Sequence, residues 1–165
     1  EPSYPLIYLN GEHLIGGIYI NELITRLIPQ DDPHPTLFPL YQRTIQQLAS
    51  NQPLESILRP FELEFLAILG YGLPDAIPTF GSAIRYDPEH GWLACLATDQ
   101  RAFAKEHIAM ILARQFQTPE VLVTAKRLTR SILQPLLGKK PLQSRKLFPP
   151  KVPRTHPAHS DALNR

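Results

Sequence analysis

Apolar residues recur at the spacing of an α-helix in five stretches of this chain, and most of these stretches are bounded by proline or glycine. In the first, Ile20, Leu23, Ile24 and Leu27 fall at positions i, i+3, i+4 and i+7, which places them on one face of a helix. An amphipathic helix buries such a stripe against other helices. The pattern therefore predicts an all-α fold, a single helical domain of five or six helices.

The other four stretches cover residues 37–48, 53–69, 104–114 and 119–137. Proline inside a helix removes a hydrogen bond and displaces the preceding turn. Pro60 therefore predicts either a kink in the third stretch or a break into two shorter helices.

The last stretch has the strongest end signals. Thr118 can cap the helix, Pro119 suits its first position and Gly138 suits its end. One further helical turn is expected within residues 139–148.

The first residues have a different pattern. Residues 4–9 are apolar on both alternating faces, as expected for a strand of a larger sheet, and the chain begins with Glu1 rather than Met. We interpret residues 1–12 as a residual strand or linker from a preceding domain. The helical domain is expected to cover residues 13–148.

The helical pattern is interrupted at about residues 73–98, where proline and glycine separate two short apolar runs, 83–86 and 92–97. This predicts an inserted β-hairpin or loop. Residues 149–165 are rich in proline and have no apolar period, so we expect a disordered basic tail.

Charge is distributed unevenly along the chain. Residues 1–125 contain 7 Lys/Arg and 14 Asp/Glu, whereas residues 126–165 contain 10 and 1, respectively. A basic end on an acidic body indicates an anionic partner, either nucleic acid or an acidic peptide. The alternative is that the basic end only increases solubility.

Several functional classes are disfavoured. No apolar run reaches the ~18 residues of a membrane-spanning helix, so no membrane partner and a cytoplasmic location are expected. The single cysteine, Cys95, cannot form an internal disulfide. His156, His159, Ser160 and Asp161 supply the residue types of a hydrolytic triad, but they lie in the proline-rich tail, where nothing fixes their geometry. We expect neither catalysis nor a cofactor.

Three stretches together resemble the RecO family: GIYINELITRLIP at 17–29, ILRPFELEFLAILGYG at 57–72 and TAKRLTRSILQPLLGKKPLQSRKLF at 124–148. The resemblance implies a helical domain that normally follows an OB-fold. It also implies a non-enzymatic recombination mediator that works with RecR to load RecA on single-stranded DNA coated by SSB. Some relatives bind zinc through four cysteines in the insertion, but residues 73–94 contain none, so zinc is not expected.

The resemblance also implies a docking site for the SSB C-terminal tail on the third helix. The candidate residues are Arg59, Phe61, Leu63 and Leu66. A cation beside an apolar groove suits an acidic, aromatic-ended peptide. We expect Arg59→Ala to weaken peptide binding with little effect on stability. Spacing alone favours the alternative that Arg59 pairs with Glu55 or Glu62 on a solvated face.

A second candidate site is the basic cluster on and after the last helix. It consists of Lys126, Arg127, Arg130, Lys139, Lys140, Arg145 and Lys146. These side chains could bind the phosphates of single-stranded DNA, the acidic SSB tail or RecR, or could form only a solvated face. Phe148 is the only aromatic residue nearby, which disfavours sequence-specific recognition. The alternative to a mediator is a helical scaffold that makes no direct contact with DNA.

Overall fold

In the computed structural model, which describes residues 6–150, the five helical stretches of the sequence become five α-helices. The helices are α1 (Gly11–Leu27), α2 (Leu37–Leu48), α3 (Leu54–Ile68), α4 (Lys105–Leu112) and α5 (Pro119–Leu137). Strands β1 (Ala83–Asp87) and β2 (Gly91–Cys95) lie between α3 and α4, and a 3₁₀ turn (Ser144–Leu147) follows α5. The predicted helical domain with an inserted hairpin is confirmed.

The ends of α3 and α5 show how local sequence sets the helix lengths. Thr118 caps α5 by accepting a hydrogen bond from the Val121 N–H, and Gly138 ends the helix with a φ of +66°. α3 continues through Pro60 as one helix, so the alternative of two shorter helices is wrong. It ends at Ile68, two residues before Gly70, whose φ of +88° is one that glycine adopts readily.

The core is built around α3, which packs against α1, α2 and α5. Phe61 and Phe65 of α3 stack with their ring centroids 5.6 Å apart. The neighbouring helices contribute further buried side chains, among them Ile20, Leu23, Leu48, Leu128 and Leu133. Burial of each such side chain stabilises the fold by about 1.5–3 kcal/mol. α3 is therefore enclosed on several sides.

α1 passes close to α3 at Gly16. A Cβ atom at this position would lie only 2.7 Å from Cδ1 of Leu54, the first residue of α3. Glycine thus permits the two helices to meet where α3 begins.

The hairpin is antiparallel and pairs Ala83 with Cys95 at its open end. Asp87 stabilises its turn by accepting hydrogen bonds from the backbone N–H groups of Glu89 and His90. The indole N–H of Trp92 donates to the Pro74 carbonyl oxygen, which fixes the hairpin against the segment that precedes it.

The first described residues precede α1. Residues 6–10 form no strand with any other described residue, and α1 begins at Gly11, two residues before the expected boundary of the helical domain. Residues 1–5 and 151–165 lie outside the described residues, and with them most of the tail for which disorder was predicted. Within residues 6–150, no helix is both long and apolar enough to cross a lipid bilayer.

Candidate partner-binding groove

A groove of about 760 Å³ lies between α1, α3, α5 and the segment that follows α5. Its volume is within the ~300–1,000 Å³ typical of ligand clefts. The apolar part of its lining includes Leu54, Leu58, Leu122, Leu133 and Phe148. The charged part of its lining consists of four cations, Arg59, Lys126, Arg130 and Arg145, and three carboxylates, Glu12, Glu55 and Glu62. The fold thus brings Arg59 and three residues of the basic cluster to one site.

The other three residues of the predicted peptide site do not reach this groove. Phe61, Leu63 and Leu66 are each at most 5% exposed and belong to the core. Contrary to the expectation from the sequence, these three side chains therefore do not form the exposed apolar floor of a peptide site. The physical reason is that neighbouring helices pack around α3, so its apolar side chains face them rather than solvent.

Arg59 is also buried, with only 5% of its surface exposed. Its Nη1 donates to Oε2 of Glu62 at 2.5 Å, and its Nε lies 3.0 Å from Oε2 of Glu55. Both pairings that spacing suggested are therefore present, but only Glu62 is in the interior, whereas the Glu55 side chain is 41% exposed. Because Arg59 is buried and paired with Glu62, we now expect its removal to destabilise the domain, contrary to the expectation from the sequence.

Glu62 connects three helices. Only 1% of its surface is exposed, and its carboxylate accepts hydrogen bonds from Tyr19 of α1 at 2.6 Å and from Thr129 of α5. Burial raises the pKa of the Tyr19 hydroxyl well above its ordinary value, and the Glu62 carboxylate raises it further. Tyr19 therefore remains a hydrogen-bond donor to Glu62 at neutral pH.

Lys126 extends this network to the groove. Its Nζ lies 2.7 Å from Oε1 of Glu55, which gives a continuous series of ion pairs from Lys126 through Glu55 and Arg59 to Glu62. Among the described residues, no carboxylate forms an ion pair with Arg130 or Arg145. The uncompensated positive charge of the groove is thus concentrated on these two arginines.

Arg127 lies on another side of α5 and contacts the segment before α4. Its guanidinium carbon is 4.5 Å from the centre of the Phe103 ring, and its Nη2 donates to the Ala102 carbonyl oxygen at 2.6 Å. Arg127 lines a smaller cleft of about 370 Å³, together with Arg101 and Arg130. The basic cluster therefore divides between two clefts that share Arg130.

The remaining members of the basic cluster lie elsewhere. Lys139, Lys140 and Lys146 are exposed and line neither cleft. Lys146 donates to the side-chain oxygen of Gln143 at 3.0 Å. Within residues 6–150 no group of three or more His, Cys, Asp or Glu side chains is placed to hold a metal ion.

Sequence reasoning missed the apolar lining of the groove, because it comes from segments far apart in the chain. Leu54 and Leu58 are on α3, Leu122 and Leu133 are on α5, and Phe148 follows α5. The only local signal was the i, i+4 spacing of Leu54 and Leu58.

A family model described as "Recombination protein O C terminal" matches residues 9–74. Curated relatives, each called DNA repair protein RecO, match most of the chain. The relative from Photobacterium profundum is 37% identical over 94% of this chain and 67% of its own length. Those from Aliivibrio salmonicida and Haemophilus influenzae are 41% and 38% identical, over 88% and 90% of this chain and 65% and 66% of their own lengths. The chain thus spans about two thirds of the length of these relatives.

Proposed function

Since the chain belongs to the RecO family, we propose that it acts in bacterial DNA repair as a non-enzymatic mediator module. In this proposal it helps RecR to load RecA on single-stranded DNA coated by SSB. It binds the acidic C-terminal tail of SSB in the groove, and its remaining basic surface contacts DNA or a further acidic partner.

The observation that carries this proposal is the convergence of apolar and cationic side chains in one groove. Leu58, Leu122 and Phe148 offer apolar surface, and four cations and three carboxylates line the same groove. Two of the carboxylates, Glu55 and Glu62, already pair with Arg59 and Lys126. An acidic peptide with apolar or aromatic residues would be complementary to the apolar surface and to the cations. Arginine suits this role because its planar guanidinium can form two hydrogen bonds with one carboxylate.

The contacts within the groove indicate which cations meet the peptide. The charges of Arg59 and Lys126 are already shared with carboxylates. Arg130 and Arg145 form no such ion pair with the described residues, so they are the cations that gain most from a new carboxylate partner. In this proposal Arg130 and Arg145 bind the peptide carboxylates, and Arg59 maintains the floor between them.

The smaller cleft is a second element of the proposal. Arg101, Arg127 and Arg130 line it beside the half-buried ring of Tyr86. The Phe103 ring also lines it, but this ring is buried and lies under the Arg127 guanidinium. Cations that follow a phosphate backbone, with rings on which bases stack, are typical of surfaces that bind single strands. Lys139, Lys140 and Lys146 would extend the positive field. Contact with phosphates predicts binding that weakens steeply with salt.

One observation favours the second candidate, a scaffold that does not contact DNA. Lys126 and Arg127 form contacts within the protein, and such contacts would also be expected of purely structural residues.

A titration with a labelled SSB tail peptide tests the groove. Charge reversal at the two arginines that pair with no described carboxylate, Arg130→Glu with Arg145→Glu, should weaken binding at least tenfold at an almost unchanged melting temperature. Lys139→Glu with Lys140→Glu is the matched control, since it makes the same charge change outside the groove. Equal losses in both double variants would show nonspecific attraction, and unchanged binding in the first would favour the scaffold.

A further inference from the structure

One wall of the groove is formed by a segment with little regular structure. After α5 the chain turns back to α1, makes a single 3₁₀ turn and continues past the groove, so that Arg145, Phe148 and two prolines line it. A four-residue 3₁₀ turn has few internal hydrogen bonds and is not stable by itself. Contacts with the rest of the domain must therefore determine where this wall lies.

Glu22 of α1 makes the most concentrated set of these contacts. Its Oε1 accepts a hydrogen bond from the Gln143 N–H at 2.7 Å. Its Oε2 accepts two from Ser144, one from the backbone N–H at 2.9 Å and one from the hydroxyl at 2.6 Å. A single carboxylate thus binds the first backbone N–H groups of the 3₁₀ turn, and Ser144 is 99% buried beneath it.

Arg26 lies one turn further along α1 and acts on the start of the same segment. Its Nη2 donates to the carbonyl oxygens of Leu137 and Lys140, at 2.8 and 2.7 Å. These oxygens lie at the end of α5 and in the turn that follows it, where helical partners are missing. Glu22 and Arg26 therefore fix both ends of the connection between α5 and the groove wall.

We infer that Glu22 is a positioning residue for the groove, which holds the wall carrying Arg145 and Phe148 in place without touching the bound peptide. This inference rests on the proposed peptide-binding function. Glu22 is absent from the groove lining, so an effect of its substitution on affinity would have to act through the wall. The Gln143 and Ser144 bonds are charge-assisted, and such bonds are stronger than those between neutral groups.

Glu22→Gln tests the inference, because the amide retains the size of the side chain but replaces an acceptor oxygen with a donor. Peptide affinity should fall about tenfold, which corresponds to ~1.4 kcal/mol. Backbone hydrogen exchange should become faster in residues 139–148 and stay unchanged in α2 and α3. Ser144→Ala, which removes only the hydroxyl contact, should have a smaller effect in the same direction. The double variant should lose less than the sum of the two single losses, since both substitutions act on one contact.

Glu64→Gln is the matched control, since Glu64 also accepts a hydrogen bond through its carboxylate, from Arg43 of α2, and does not line the groove. Its peptide affinity should equal that of the parent. Unchanged affinity or unchanged exchange in Glu22→Gln would overturn the inference. If the parent itself does not bind the peptide, the proposed function fails, whereas the exchange measurement still shows whether Glu22 holds the segment.

Discussion

Arg59 and Glu62 lie one turn apart on α3 and form an ion pair in which both side chains are almost completely buried. Tyr19 and Thr129 complete the hydrogen bonding of the Glu62 carboxylate. Removing one member of a buried pair leaves an uncompensated charge in the interior, and this costs far more than the loss of a surface pair. Both residues line the groove, and loss of their pairing should destabilise the whole domain.

We predict that Arg59→Ala lowers the free energy of unfolding by about 3–5 kcal/mol, because Glu62 would remain buried without its cation. The double substitution Arg59→Met with Glu62→Gln should be more stable than the single one, since it removes both charges and keeps an acceptor for Tyr19. Urea unfolding followed by circular dichroism measures both. A single variant as stable as the parent would show that the pair contributes nothing.

The contribution of the Glu22 contact to the stability of the domain should depend on pH. Burial raises the pKa of this carboxyl, but the hydrogen bonds from Ser144 and Gln143 outweigh burial and leave the pKa lowered. A carboxyl whose pKa is lower in the folded state contributes its full stabilisation at pH values above its unfolded pKa of about 4.3. This contribution is lost as the pH falls through the folded value.

We therefore predict that the stability difference between the parent and Glu22→Gln is constant near neutral pH and shrinks in acid. Urea midpoints of both proteins, measured at intervals from pH 7 to pH 3, test this. A difference that stays constant over the whole range would mean that the carboxylate charge does not support the contact.

DNA binding should depend unequally on the basic cluster. Replacing Lys126, Arg127 and Arg130 together with alanine should weaken binding to all single strands similarly and reduce its salt dependence by about one to two units. Of the three single substitutions, Lys126→Ala should reduce the salt dependence of binding least, because Lys126 already pairs with Glu55. Anisotropy titrations at several salt concentrations measure the slopes. An unchanged slope in the triple variant would assign these residues to protein contacts.

The close approach of α1 to α3 should tolerate little added volume. We predict that Gly16→Val destabilises the domain by about 1–3 kcal/mol, since a side chain there must displace Leu54 in a packed interior. Ile18→Val, at an exposed position one residue after Gly17, is the control and should change stability by less than ~0.5 kcal/mol. Thermal unfolding of both variants makes the comparison.

Local features could be predicted from the sequence, whereas features made by distant segments could not. The ends of α5 followed from Thr118 and Gly138, because capping depends on neighbouring residues. The burial of Arg59 did not, since it requires α1 and α5 to pack around α3. The same applies to the pairing of Glu22 with Ser144, which no periodicity in either segment indicates. Helical spacing indicated Glu55 and Glu62 as partners of Arg59, but it could not indicate that Tyr19 and Thr129 share the Glu62 carboxylate.

The contact of Glu22 with Ser144 joins positions 122 residues apart, so it closes almost the entire domain. Contacts of such long sequence separation form late in folding, because much of the chain must first be ordered. The wall of the groove is therefore expected to take its place late in folding, after the helices that enclose the rest of the core have packed.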